Sequence, residues 1–416
     1  MTVATETAGL PTGWSQAPLG GVVQSIRETA ALVADQPYEL WSIPSFSNGL
    51  PERVVGSEIG SAKLAVSPSD VLISKINPRI NRVWMVAEPP EGYIQVASTE
   101  WIVARIDEST PVLPRFLRWY ATSPAFRALI ESGVQGVTGS HTRAKTPQVL
   151  KLPVPVPPLA EQRRIIEILE EQLSRLDAAL DSVRVVREKA AQFRRSLLHA
   201  AFTGALTATS PLGDHLPVGW EQRLFSDIAS VDSGLVDPAQ FGDAPHVAPN
   251  HIESNSGRLL EYRTVAEDGV TSGKHRFRAG HILYSKIRPH LNKVTLVSFD
   301  GLCSADMYPI STSQNARWLA RVMLAPDFVS QASSAQTRTV LPKINVRELS
   351  RLTVPVPPLP EQDRIVQIVD EQLSRLDAAM AVPDQIEKRS AALRRSLLHA
   401  AFSGRLTEQW REHAHV

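Results

Sequence analysis

The residues best suited to do chemistry are two histidines, His199 and His399, each set in the same nine letters, RRSLLHAAF, at 194–202 and 394–402. Ser196 lies three residues before His199 on one helical face, the spacing of a nucleophile beside a base. No third orienting group or oxyanion loop accompanies the pair, and Arg194, Arg195 and His199 suit the negative end of a helix dipole. The block reads as a helix–helix or partner contact. GVTSGKH at 269–275 resembles a phosphate loop only at a glance. It has three residues between its glycines instead of four, and His275 stands where a magnesium-binding hydroxyl belongs. No glycine-rich turn of the dinucleotide-binding kind is present, so no nucleotide cofactor is expected, and His413 and His415 fall in a C-terminus expected to fray.

Charge points elsewhere. In SKINPRINR, Lys75, Arg79 and Arg82 crowd a strand end beside Asn81; in SKIRPHLNK, Lys286, Arg288, His290 and Lys293 do so beside Asn292. Such clusters suit neutralisation of phosphates with added hydrogen bonds, and equally a solvated edge strand whose lysines discourage aggregation. A polar loop, TGSHTRAK at 138–145, offers Ser140, His141, Thr142, Arg143 and Lys145. It is matched loosely by 334–343, with Thr337, Arg338 and Lys343. Arg143 and Arg338 suit bidentate bonds to guanine; an ordinary hydroxyl-rich loop is the alternative. Trp14 and Trp220 read as core residues at a domain entrance.

What positions these residues is a repeat. EQLSRLDAA stands at 171–179 and again at 371–379, VPVPPLAEQ at 154–162 answers VPVPPLPEQ at 354–362, and all these blocks recur at one interval. LPTGW at 10–14 and LPVGW at 216–220 pair at a different interval, as do the two SKI stretches. The chain is therefore a tandem duplication whose helical parts are frozen in length and whose preceding parts have drifted. In the frozen parts, Ile165, Leu169, Leu173, Leu176, Leu180 and Val183 form an apolar seam at steps of four and three. Ile365, Val369, Leu373, Leu376 and Met380 form another, interrupted by Pro383, where a kink or break is expected. A helix over about 160–202 would reach roughly 60 Å. One seam on so long a helix needs a partner, and an antiparallel coiled coil between the two copies supplies it. The drifting parts read as mixed α/β, with strand-like DVLISKI and HILYSKI and two helix–turn–helix-like stretches.

Composition sets the outer limits. The 416 residues carry 44 Lys plus Arg against 43 Asp plus Glu, a net charge of +1, which excludes a generic polyanion binder coated in positive charge. One cysteine, Cys303, excludes an internal disulfide and fits a reducing compartment. Neither a signal peptide nor a membrane-length apolar run is apparent, so a cytoplasmic protein is expected.

The order LPxGW, SKIxPxxN, VPVPPLxEQ, long helix and RRSLLHAAFxGxLT, stated twice, resembles the DNA-specificity subunit of type I restriction–modification systems. The resemblance covers the chain after the first nine residues. It implies an α/β (α+β) fold: two pseudo-symmetric target-recognition domains, 10–157 and 216–357, separated by two long antiparallel coiled-coil helices. These would be a spacer helix at 158–207 and a second spacer helix with the C-terminal tail at 358–416, with a tail at 1–9 and a linker at 208–215. It implies a non-catalytic subunit in which each domain reads half of a bipartite, asymmetric double-stranded DNA target. The helices, through seam residues such as Leu169 and Val369, would hold the domains apart and dock modification subunits, two in number, with restriction subunits beyond. S-adenosylmethionine, ATP and magnesium would sit on those partners, and no metal or cofactor on this chain. DPAQF at 237–241 fails as the methyltransferase NPPY/F motif. The rivals are a specificity subunit of a related, motor-less type IIB-like system and a coiled-coil scaffold that binds protein.

Overall fold

A computed structural model describes residues 10–133, 143–208, 215–335 and 342–414. The chain divides into two compact units, Met1–Ser182 with Gln385–Val416, and Val183–Asp384. Each is built on the same plan. In the first, the strands Val23–Ile26, Trp101–Ile106, Val71–Ser74 and Val83–Met85 form an antiparallel sheet. In the second, Ala229–Val231, Met307–Thr312, Ile282–Ser285 and Val294–Leu296 repeat it. The helix–turn–helix stretches are Pro114–Thr122 with Pro124–Gly133, and Ala316–Leu324 with Pro326–Ser334. Drift concentrates in a further sheet, four-stranded in the first unit and five-stranded in the second. The expected mixed α/β class is what both units show.

The frozen blocks form helices Leu159–Thr203 and Leu359–Phe402. Their entrances explain the proline runs. Pro153–Val156 pairs antiparallel with Ser15–Pro18, and Thr353–Val356 with Glu221–Leu224, two-stranded ribbons in which a missing N–H is tolerated. The next residues clamp helix to domain. Fully buried Gln162 accepts from the Leu113 N–H (2.9 Å) and donates to the Pro111 and Pro157 carbonyls. Gln362 accepts from the Asn315 N–H and donates to Gln314 and the Pro357 carbonyl. At the far ends Gly204 (φ +81°) and Gly404 (φ +75°) adopt the left-handed conformation, and a Cβ there would lie 2.4 Å from Pro217 and 2.1 Å from Pro11. Both the backbone angle and the close approach of LPxGW demand glycine.

Ile165, Leu169, Leu173 and Val183 of the first seam are buried, with Leu176 and Leu180 half-buried; Ile365, Val369 and Leu373 are buried, with Leu376 and Met380 half-buried. Within each unit the helices run antiparallel. In the first, Glu161 meets Thr407 and Asp177 meets Arg394; in the second, Glu361 meets Thr207, Asp377 meets Arg194 (2.6 Å) and Asp384 meets Arg187 (2.7 Å). Steps of seven on one helix answer steps of seven on the other, as a coiled-coil repeat requires.

Pro383 breaks nothing: Leu359–Phe402 continues through it. Proline removes one helical N–H and crowds the carbonyl four residues back. That carbonyl belongs to exposed Ala379, beside exposed Val382, so water can take the vacated bond. Of the expected kink or break, the break does not occur.

Trp14 and Trp220 are core residues, as expected. Trp14 Nε1 donates to Glu161 at 2.9 Å, and the same buried carboxylate accepts from Thr407 and Arg411. Arg411→Met should strip this carboxylate of its only cationic partner among the described residues and cost about 3–5 kcal/mol. Urea unfolding followed by Trp fluorescence checks this; an unchanged midpoint would show that Glu161 does not depend on Arg411 as its partner.

Candidate nucleic-acid interface

Four of the six non-glycine residues with positive φ among the described residues occupy one feature. The strand Val71–Ser74 ends in a short 3-10 turn, Pro78–Ile80, bracketed by Asn77 (φ 47°) and Asn81 (φ 50°). Ile282–Ser285 ends in Pro289–Leu291, bracketed by Arg288 (φ 48°) and Asn292 (φ 46°). Left-handed backbone is costly for Arg288, and such strain gathers where a loop is held for function.

The polar loop comes to this turn. Ile76 bridges Arg143, and Ala144 N donates to the Lys75 carbonyl at 2.8 Å. Ile287 bridges Lys343, and Ile344 N donates to the Lys286 carbonyl at 3.0 Å. Each unit thus brings its two candidate clusters together. A carboxylate joins them: Arg143 Nη2 meets Glu100 at 2.7 Å, and Lys343 Nζ meets Asp306 at 3.1 Å. Neither acid was marked by the sequence. Their signal lies in position, because each supplies the carbonyl that receives the N–H of Lys75 or Lys286. The equivalence also shows that the counterpart of Arg143 is Lys343, not Arg338.

Arg79, Arg143, Lys145, Arg288 and His290 are exposed, while Lys75 and Lys286 are half-buried. Burial pushes the Lys75 ammonium below its ordinary range; Glu100 opposes the shift, and Arg143 and Arg27 add to it. Lys286 Nζ rests 5.2 Å from the Tyr308 ring centre. Other candidates are taken up by the fold. Asn81 and Asn292 each donate an amide hydrogen bond of 3.0 Å, to the Thr122 and Leu324 carbonyls, at or near the ends of the two equivalent short helices. Asn292 is 2% exposed, so its reading as a DNA contact is corrected: this asparagine tolerates the left-handed angle and ties the turn to a helix. Lys293 donates to the Pro249 carbonyl at 2.6 Å, and one Arg82 amino group is buried. Ser140, His141, Thr142, Thr337 and Arg338 lie outside the described residues.

The catalytic alternatives do not assemble. His199 Nδ1 faces Asp327 at 2.8 Å and His399 Nδ1 faces Arg405 at 2.8 Å, and neither histidine hydrogen-bonds to Ser196 or Ser396. Lys274 folds back onto Ser272 at 2.8 Å, and Asp237 caps a 3-10 turn at Pro238–Phe241. His413 bonds the Gln409 carbonyl within a short helix, while His415 is outside the described residues. Among the described residues no cluster of three or more potential metal ligands occurs, and no helix is long and apolar enough to cross a membrane.

Comparison with known proteins decides the family. Residues 217–388 match the model of the type I restriction modification DNA specificity domain. The chain is similar to the type I restriction enzyme EcoDI specificity subunit of Escherichia coli, 36% identical over 68% of this chain and 70% of that one. The chain belongs to the type I restriction–modification specificity-subunit family. It is accordingly a specificity subunit, not itself an enzyme. The EcoKI specificity subunit of Escherichia coli strain K12 is 22% identical over 97% of this chain and 91% of its own. In fold, the chain matches one from a structure of type I R-M complex assembly and conformational transition (TM-score 0.69, 21% identity, 94% and 98% covered). It also matches the HsdS subunit from Thermoanaerobacter tengcongensis (TM-score 0.53, 19% identity, 95% and 98% covered). None of these relatives supports the motor-less or scaffold readings.

If Asn292 is structural, Asn292→Gly keeps the backbone angle and loses the bond to Leu324, for a cost of about 1–3 kcal/mol. Asn292→Ala should cost more, because the angle is then strained as well. Thermal melts of both variants test this; equal stability with weakened DNA binding would return the residue to the interface.

Proposed function

We propose that the recognition domains within 10–157 and 216–357 each read one half of a bipartite, asymmetric DNA target. The spacer helices, Leu159–Thr203 and Leu359–Phe402 within the segments 158–207 and 358–416, hold the two halves of the recognition machinery at a set separation. The observation that carries this reading is where the two copies agree. On the helices the exposed positions Glu171, Ser174, Arg175, Arg195 and Ser196 are identical to Glu371, Ser374, Arg375, Arg395 and Ser396. Buried positions are mostly identical too, Ile165 with Ile365 and Leu173 with Leu373, while other exposed positions differ, Arg163 against Asp363 and Glu167 against Gln367. Identity in the core is what the fold requires; identity at this subset of solvent-facing residues is what a shared partner adds.

Two equivalent surfaces suit two copies of one partner, the modification subunits, with restriction subunits joining that complex. Phe193 and Leu393, 44% and 56% exposed at matching positions, add apolar area for docking. S-adenosylmethionine, ATP and magnesium belong to those partners, and the complex acts in the cytoplasm where its DNA is. The recognition domains diverge in their further sheets and in their exposed turn residues, as expected of readers of unlike half-sites.

Replacing residues 216–353 by those of another family member, within the assembled complex, should change one half of the methylated target and leave the other half intact. Genome-wide mapping of methylated adenines reads this directly; a change in both halves would refute independent reading.

A further inference from the structure

The matching turns separate residues that are held constant from residues that change. Between SKINPRIN and SKIRPHLN, five residues are identical, and four of them have an internal task. Ser74 and Ser285 donate to the Ile76 and Ile287 carbonyls, which themselves bridge the neighbouring loop; Pro78 and Pro289 are buried; Asn81 and Asn292 tie the turn to a helix. The fifth, Lys75 or Lys286, forms no hydrogen bond through its ammonium among the described residues, yet it is present in both units beside unlike neighbours. Around this frame neighbouring positions have changed: exposed Arg79 is answered by exposed His290, and exposed Arg143 by half-buried Lys343.

A constant cation suits the constant part of DNA, its phosphodiester backbone, and changed side chains at the turn and loop suit the part that varies, the base edges. Arginine and lysine or histidine are not equivalent there, since only arginine offers a rigid fork to guanine.

We propose a division of labour within the interface: Lys75 and Lys286 hold phosphate irrespective of sequence, whereas positions 79 and 143 in the first unit, and 290 and 343 in the second, determine which bases are accepted. This rests on the reading that each unit binds one half-site. The frame is preorganised in both, because the turn is pinned at its two left-handed residues and by the bridge to the loop. Specificity then changes by exchanging tips without rebuilding the turn.

The test uses the full chain in its complex, with affinity measured against salt for the cognate duplex and for duplexes altered in one half. Lys75→Gln should weaken binding to all of these duplexes alike and make the slope of log affinity against log salt shallower by roughly one. Arg79→Ala should reduce discrimination at the half-site of the first unit by about ten-fold or more and leave the other half unaffected. Arg79→His with Arg143→Lys, which imports the tips of the second unit, should shift the preferred bases of that half. Melting temperatures of all variants should match the wild type, because these side chains are exposed or half-buried. Discrimination lost with Lys75→Gln, or kept with Arg79→Ala and the double variant, would overturn the assignment while wild-type discrimination stands. A wild-type complex with no preference at either half-site would overturn the underlying reading as well.

Discussion

Each unit is closed by a segment from the other half of the sequence, and the rest of the structure depends on that closure. In the first unit Phe402 packs edge-on against Phe116 and Tyr120, with centroids 5.5 and 5.3 Å apart, and Leu398 joins the same core as Leu169 and Leu173. In the second, Phe202 and Leu198 join the core of Val369 and Leu373. A recognition domain with only its own helix would leave this apolar face in water, at a cost of roughly 25 cal/mol for each Å² exposed. Duplication supplies the missing piece twice over, and antiparallel pairing lets the end of each helix complete the unit in which the other begins.

That arrangement explains the contrast in drift. A length change within a helix would carry Asp177, Arg194, Asp377 and Arg394 out of register and pull Gln162 or Gln362 from its carbonyls. Seam residues can exchange Ile for Val or Leu for Met at modest cost, because the volume nearly fits. The further sheet of each unit, four-stranded in one and five-stranded in the other, is not tied to that register.

Much of this was legible in the sequence. The helices, their antiparallel pairing, the core tryptophans and the proline entrances follow from periodicity, the repeat and backbone chemistry. At Pro383 the expected break does not occur, because the carbonyl that loses its partner belongs to exposed Ala379. Asn292 misled: its polarity suggests a surface role, but a left-handed angle and a distant carbonyl acceptor are invisible in one dimension. Glu100 and Asp306 were missed because no local motif surrounds them; only the bridge between turn and loop puts them at the interface. The loop residues from 138 to 142 and from 334 to 341 were assigned by a loose match, and the bridge aligned Arg143 with Lys343 instead.

The central claim is mechanical: the two helices set the distance between the two reading domains. Its most direct measurement is the gap in the methylated target after seven residues are added following Ser182 and seven more following Asp384. One heptad lengthens a helix by about 10 Å and preserves the seam, and a base pair rises about 3.4 Å. The gap between half-sites should grow by about three base pairs with both half-sites unchanged; a complex that still methylates at the original gap would contradict the account.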